Sequence, residues 1–538
     1  MNADLAKIGA DWWEWTLRSA PTYATYLGDH RFDDRLPEID AAARASDVRE
    51  ANALLARLKK LDPAALDESD RVSWDIVRLQ LEWSIEESDH KFYQWAVDQM
   101  MGPQLLLLEL LNYHPLDGEK GQRDLVARWR AFPRYVDQYV ANLQEGVAER
   151  RVAPRIAVAR VLAQIEGIVA QPPLTAAVAK AGDATLRADL QKALDADVLP
   201  AYRRLADFLR GYPSRDTVGL GALPGGRDAY EYRVRMHTTT GFKAGELHRI
   251  GHEELKAIQS EMRAIARGNE KAFLAAQMKE PRNFHARRED LLASFTGALA
   301  TIEKKLPQFF DRLPQQKCVV KPIEDYREKD APAAYYYPPP EDRSRPGTFY
   351  ANLFKPETRP RFNELALTVH EAVPGHHLQI AIAQETALPI WRRHAQFTAF
   401  VEGWALYSER LAVEMGVYPT DLDLFGMLTY QAWRACRLVV DTGLHAMDWS
   451  REQAVEFFTT NVALGGPETG NEVDRYIIWP GQALAYKVGQ REIEALRHEA
   501  ERAMGPRFKV GAFHDVVLRN GALPLSTLRD VVRAWMAT

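Results

Sequence analysis

At 538 residues, 46% hydrophobic and 27% charged, the chain has the profile of a folded protein with more than one subdomain, which excludes a disordered or fibrous one. A formal charge of -5 leaves no electrostatic footprint for nucleic acid. The two cysteines, Cys318 and Cys436, cannot form a disulfide framework and sit in no metal-ligand spacing, so any metal must be held by His, Asp and Glu.

The N-terminal residues lack the basic and apolar regions of a signal peptide, which predicts a cytoplasmic protein for the chain as written. A chain already trimmed of a leader would read the same way and would be periplasmic or a lipoprotein. The longest aliphatic run, 105–108, is far too short to cross a bilayer. Residues 1–210 read as successive helices. Val72, Ile76, Leu79 and Trp83 form one amphipathic stripe, and the style repeats over 125–148, 154–171 and 186–211. A Gly- and Pro-rich stretch at 211–227 is read as a linker between this helical subdomain and a catalytic one at 228–538.

Beyond the linker, 230–236 alternates like a short strand, and a helix is predicted from about 244 to 267. On that helix His248 and His252 are four apart with Glu253 adjacent, but no glutamate lies between them and no third ligand follows. They are read as a decoy for a metal site. Three β-rich runs then appear at 318–323, 334–337 and 347–353, economically a small antiparallel sheet. The last run precedes the His370 segment, and it is either an exposed strand edge that would pair with substrate backbone through residues such as Tyr350 and Asn352 or part of an ordinary hairpin.

The chemistry concentrates in Val369-His370-Glu371-Ala372-Val373-Pro374-Gly375-His376-His377, which holds three of the chain's 14 histidines. In the common zinc-peptidase helix two histidines lie four apart and the glutamate after the first is the general base. Here Pro374 occupies the second histidine's place. On a straight helix His376 would point roughly 120° away from His370, and His377 would lie on the order of 10 Å further along the axis. Proline lacks the N–H that should bond to the His370 carbonyl, so the helix must kink or bulge, and Gly375 adds backbone freedom. A bulge brings a later histidine back to the metal. His376 is favoured, with His377 left facing substrate or supporting the site. Glu402, a lone carboxylate among bulky apolar residues at 400–407, needs a metal or a cation as partner and serves as third ligand. Glu409, seven residues on, either orients a histidine or pairs with an arginine.

At these residues, and at Asp441 to His445, Arg475-Tyr476, Pro480 to Ala483 and Tyr486-Lys487, the chain resembles the bacterial domain-of-unknown-function family 885. Its members are regarded as candidate zinc peptidases of the gluzincin type, with a mostly helical fold similar to angiotensin-converting enzyme and oligopeptidases. The resemblance implies His370, His376 and Glu402 as ligands of one zinc ion and Glu371 as base. It further implies that late Tyr and His residues (Tyr476, Tyr486, His445) face the metal across a deep cleft, where they would stabilise an oxyanion. Arg475 or Lys487 would then hold a substrate carboxylate. The reading is a mainly α gluzincin-like zinc metallopeptidase with a small sheet beside its active-site helix, acting on short peptides as an exopeptidase or oligopeptidase, without nucleic acid or a membrane span. The alternatives are a zinc amidase for a non-peptide amide and a helical binding protein without catalysis.

Overall fold

The structure, a computed structural model, describes residues 1–116, 118–324, 328–329, 331–341, 343, 345–462 and 466–538. The chain divides into two compact units, Met1–Ala229 and Tyr230–Thr538.

The first unit is helical among its described residues. Helix Ala3–Ser19 is capped by the Asn2 side chain and buries Trp12, Trp13 and Trp15 on its inner face. In helix Glu68–His90 the buried ridge is Val72, Ile76, Val77 and Leu81; Leu79 and Trp83 of the expected stripe are only half-buried. Helix Glu119–Ala148 carries Arg128, which is fully buried. The stretch 155–180 is apolar enough to cross a membrane by composition, but it is two helices, Arg155–Ala170 and Leu174–Lys180. At 16 and 7 residues, both fall below the roughly 20 a span needs.

The second unit begins in helix α1 (Gly226–Thr238), so the strand expected at 230–236 is helical. Tyr230, Val234 and Thr238 are all buried, and they lie at i, i+4 and i+8. The apparent alternation of 230, 232 and 234 thus contained a helical row. Next, α2 (Ala244–Ala266) packs along α6 (Asp421–Ala446), which is almost wholly buried. The approach is close at Gly251, where a Cβ would come within 2.8 Å of Leu438. The sheet comprises β1 (Cys318–Pro322), β2 (Ala334–Tyr337) and β3 (Gly347–Ala351) in the order β1-β3-β2. It is mixed, because β1 runs parallel to β3 and β2 antiparallel. Side-chain alternation is the same in either strand direction, so the sequence pattern did not report it. β3 is the central strand with both edges occupied, which overturns the expectation that it offers an edge to substrate.

Five further helices build the chemistry: α3 (Glu364–Glu371), α4 (His376–Gln384), α5 (Thr398–Glu414) and, after α6, α7 (Gly466–Ile478) and α8 (Ala485–Met504). α5 and α8 touch backbone to backbone at Gly403 and Gly489; a Cβ on Gly403 would lie 2.4 Å from the Gly489 Cα. This contact sits one residue after Glu402 and three after Tyr486, so it fixes where both side chains emerge.

Candidate metal centre

The helix breaks where the proline requires. α3 ends at Glu371, Ala372 leaves helical geometry (φ -102°, ψ -104°), and α4 restarts at His376. The Gly375 N–H donates to the Val369 carbonyl (3.0 Å) and the His377 N–H to the Ala372 carbonyl (3.0 Å), spacings of six and five where a helix has four. Gly375 is obligatory in this loop, since a Cβ there would sit 2.1 Å from the His370 carbonyl oxygen. The Pro374 carbonyl, released from the helix, accepts the Trp404 indole N–H at 2.8 Å and so ties the break to α5.

The break turns His376 towards His370. Their rings meet edge to face with centroids 4.9 Å apart. Glu402 Oε2 lies 3.7 Å from His370 Nε2 and 3.4 Å from His376 Nε2. Donors bound to one zinc at the usual lengths stand roughly 3.3 Å from one another in a tetrahedron, so this spacing fits a single ion. Among the described residues, these three form the one group of three or more His, Cys, Asp or Glu side chains arranged to hold a metal. Glu402 Oε2 is buried without a hydrogen-bond donor, a costly state that a cation would relieve. The residues present therefore fit a divalent metal, and two imidazoles with one carboxylate are a zinc donor set.

Glu409, fully buried one face below Glu402 on α5, accepts from His370 Nδ1 at 2.8 Å and from the Gln431 amide at 2.9 Å. That bond leaves His370 Nε2 for the metal. Arg434 stands 3.8 Å from the same carboxylate, so Glu409 both orients the histidine and faces an arginine. Burial alone would depress His370, but the neighbouring Glu402 and Glu409 carboxylates carry it up to about 9, while the two histidines hold Glu402 well below the usual carboxylate range against the effect of burial. Glu371, at the end of α3, is half-buried; burial, aided by this carboxylate, pushes the Cys318 thiol up to about 12.

The late residues divide. The Tyr486 ring stacks on His370 at 6.5 Å and lies 4.2 Å from the Arg437 guanidinium, so Tyr486 adjoins the cradle. Tyr476 does not offer its phenol to the cradle: it donates to Glu472 (2.6 Å) and accepts from Arg437 (2.9 Å) and Trp433 (3.2 Å). His445, 1% exposed, is bonded through Nε2 to the Tyr476 carbonyl and braces α6 against α7.

Several expectations are corrected by hydrogen bonding. His377 spends both ring nitrogens, on Tyr336 Oη (2.9 Å) and the Gln316 carbonyl (2.9 Å), and fastens α4 to the sheet; burial pulls it down to about 4. It faces neither metal nor substrate. Asn352 is 1% exposed and its amide donates to the carbonyls of Glu328, Ala331 and Pro332, which closes a loop. Tyr350 stacks on Tyr335 across the sheet. Arg475 is bound by Glu472 (2.9 Å) and Gln482, and Lys487, 1% exposed, by Gln431 (2.9 Å) and Gln490 (2.7 Å), so neither is available to a substrate carboxylate. His248 and His252 face each other at 3.3 Å, His248 Nδ1 lies 2.8 Å from the Thr442 hydroxyl, and the pair belongs to no group of three possible metal donors among the described residues. Sequence reasoning gave no role to Gln431, Arg434 or Arg437. Their signal was faint: three polar residues among the apolar positions of α6, whose burial the sequence does not announce.

Fold and site together define a largely helical protein with a two-histidine, one-carboxylate metal cradle built on a broken helix. The chain belongs to the bacterial family of proteins of unknown function designated DUF885, which matches residues 21–532. It is similar to a candidate lipoprotein from Colwellia psychrerythraea of known crystal structure, with 26% identity, all of both chains covered and a TM-score of 0.94. A candidate lipoprotein of unknown function from Shewanella oneidensis shares the fold at 20% identity, with 98% and 99% of the two chains covered and a TM-score of 0.80. An M32 carboxypeptidase from Deinococcus radiodurans R1 aligns with a TM-score of 0.40 and 12% identity, too little to carry any argument. No curated protein matches the chain.

Proposed function

We propose that the protein is a zinc-dependent hydrolase that cleaves peptide bonds in short peptides. The observation that carries this reading is the convergence of His370, His376 and Glu402, with Glu402 Oε2 3.7 Å from His370 Nε2 and 3.4 Å from His376 Nε2 and with His370 Nδ1 committed to a buried carboxylate. Bound there, zinc supplies Lewis acidity for the scissile carbonyl and for the attacking water. The chain's own residues do the rest. Glu371, adjacent to His370, takes the water's proton on its carboxylate and delivers it to the leaving amine. Tyr486, stacked beside His370, donates its phenol proton to the developing oxyanion. Burial raises that phenol, which keeps it protonated as a donor at neutral pH. Tyr476 acts at one remove by fixing Arg437. For its working location we favour the cell envelope, because the Colwellia protein it resembles is described as a candidate lipoprotein.

The test is metal content by elemental analysis of the purified protein. The wild type should hold about one zinc per chain, as a three-ligand site with one open position implies. His370→Ala, His376→Ala and Glu402→Ala should each lose it, and His377→Ala should retain it. Zinc retained by all four variants, or by none including the wild type, overturns the reading.

A further inference from the structure

Arg434 and Arg437, one turn apart on α6, are 6% and 5% exposed, yet neither guanidinium is fully used. Arg437 donates through Nε to Tyr476 (2.9 Å) and through its second terminal nitrogen to Glu472 (3.3 Å), but its first has no partner. Arg434 stands 3.8 Å from Glu409 through one terminal nitrogen, and its Nε and other terminal nitrogen have none. Among the described residues, these are the only arginines with a buried terminal nitrogen left unbonded. A buried charged donor without an acceptor is costly and calls for a ligand or water to receive it.

Both guanidiniums lie against one ring, Trp433, at 5.4 and 5.2 Å from its centroid. Trp433 and Tyr486 are half-buried, so the place is not sealed. Three guanidiniums, Arg434, Arg437 and Arg475, share two contacting carboxylates, Glu409 and Glu472, which leaves one positive charge to be met. The open nitrogens also lie near the chemistry. The His370 ring lies 6.5 Å from that of Tyr486, and the Arg437 guanidinium lies 4.2 Å from the latter, so the guanidinium stands no further from the cradle than about three residues of extended peptide at roughly 3.3–3.6 Å each, and one or two fit within that reach.

We propose that Arg437, with Arg434 beside it, receives the free carboxylate at the C-terminus of the substrate, so that the enzyme releases one or two residues from that end. A carboxylate meets the two-pronged geometry of a guanidinium and supplies the single negative charge. The cut rests on the peptidase reading; the anchor rests on the arginines. Hydrolysis adds water across the scissile amide: the carbonyl carbon gains the hydroxyl, and the leaving amine gains the proton relayed by Glu371.

The test separates anchor from cut. Zinc-loaded Glu371→Gln protein, which cannot turn over, is mixed with an equimolar pool of N-acetylated tetrapeptides in free-acid and C-terminal amide forms. The peptides retained on ultrafiltration are counted by mass spectrometry. Acids should be enriched about tenfold over amides, as expected of a charge-assisted pair in a buried site. Adding Arg437→Gln should reduce that preference to about twofold with zinc content unchanged, and Arg437→Lys, which keeps the charge and loses the fork, should fall between. Equal retention of the two forms, retention of neither, or an undiminished preference in Arg437→Gln overturns the proposal, as does abolition of the preference by sodium chloride at physiological strength, which would mark an inorganic anion site. Enrichment of acids by a protein that holds no zinc would sink the peptidase reading and leave the anchor standing.

Discussion

Two buried arginines, one in each unit, show what polar burial is for. Arg128, in the first unit, bonds through every nitrogen: Nε to the Arg35 carbonyl, one terminal nitrogen to His114, and the other to the Pro21 and Phe32 carbonyls and the Thr25 hydroxyl. Asp33 stands 3.8 Å away. That guanidinium stitches together chain segments far apart in sequence, and nothing is left over for a ligand. Arg437, in the second unit, is also buried and is not closed. The difference is between a polar group that completes a fold and one that waits for a partner. The same contrast separates His377, with both nitrogens spent, from His376, whose Nε2 points at Glu402.

The contrast can be broken by substitutions that exchange stability for activity. The largest effect expected is on the open side: Glu371→Gln should lower kcat by about 10²–10⁴. Its zinc content and unfolding midpoint should stay at wild-type values, and a variant that retains wild-type turnover removes Glu371 as the base. On the closed side, Arg128→Met should cost about 3–5 kcal/mol in urea unfolding, because it leaves Asp33 buried and several acceptors unmet. Arg437→Gln should cost less, about 1–2 kcal/mol, because Glu472 keeps Arg475 and Tyr476. Equal losses for the two arginines would erase the distinction.

Asp441 sharpens the comparison through pH. It is fully buried, accepts from the Tyr230 hydroxyl (2.6 Å) and the Gly481 N–H (3.0 Å), and burial pushes it up to about 7. Between its unfolded value and that figure the native state holds a proton that the unfolded chain has released. Stability therefore falls as pH rises from about 4 to 7, by at most about 1.4 kcal/mol per unit. Asp441→Asn keeps both acceptor bonds and should flatten that segment of the stability profile relative to wild type, as followed by urea unfolding at each pH. An unchanged slope would mean that Asp441 is ionised throughout.

Two smaller effects complete the set. Glu409→Gln should weaken zinc affinity about 10–100-fold in a chelator competition, since it loosens the bond that orients His370. His377→Phe should keep its zinc and lose about 1–3 kcal/mol of stability, because Tyr336 and the Gln316 carbonyl lose their partner. Zinc loss in the His377 variant would return that residue to the metal.

Much of the metal cradle was legible because it rests on local chemistry. Pro374 forbids the helix to continue, Gly375 admits the close carbonyl, and a carboxylate among the apolar residues at 400–407 needs a cation. Those residue-level facts favour a shared site for His370, His376 and Glu402. The three β runs were legible by composition, but their directions were not, since alternation carries no polarity. The run at 230–236 misled because Tyr230, Val234 and Thr238 satisfy the helical period while Tyr230, Tyr232 and Val234 satisfy the strand period.

By itself, then, the sequence determined the helical class, the broken helix and the candidate trio of His370, His376 and Glu402, all consequences of short-range backbone and solvation rules. Only the tertiary structure decided which polar groups were already satisfied. Lys487, Asn352 and His377 look available in one dimension and are consumed by partners brought near from elsewhere in the chain, and Arg475 is consumed by its neighbours Glu472 and Gln482. Arg434 and Arg437 look like ordinary positions on α6 and keep open nitrogens because the side chains around them are mostly aromatic. Hydrogen-bond satisfaction depends on the whole set of neighbours, and the neighbours are set by packing.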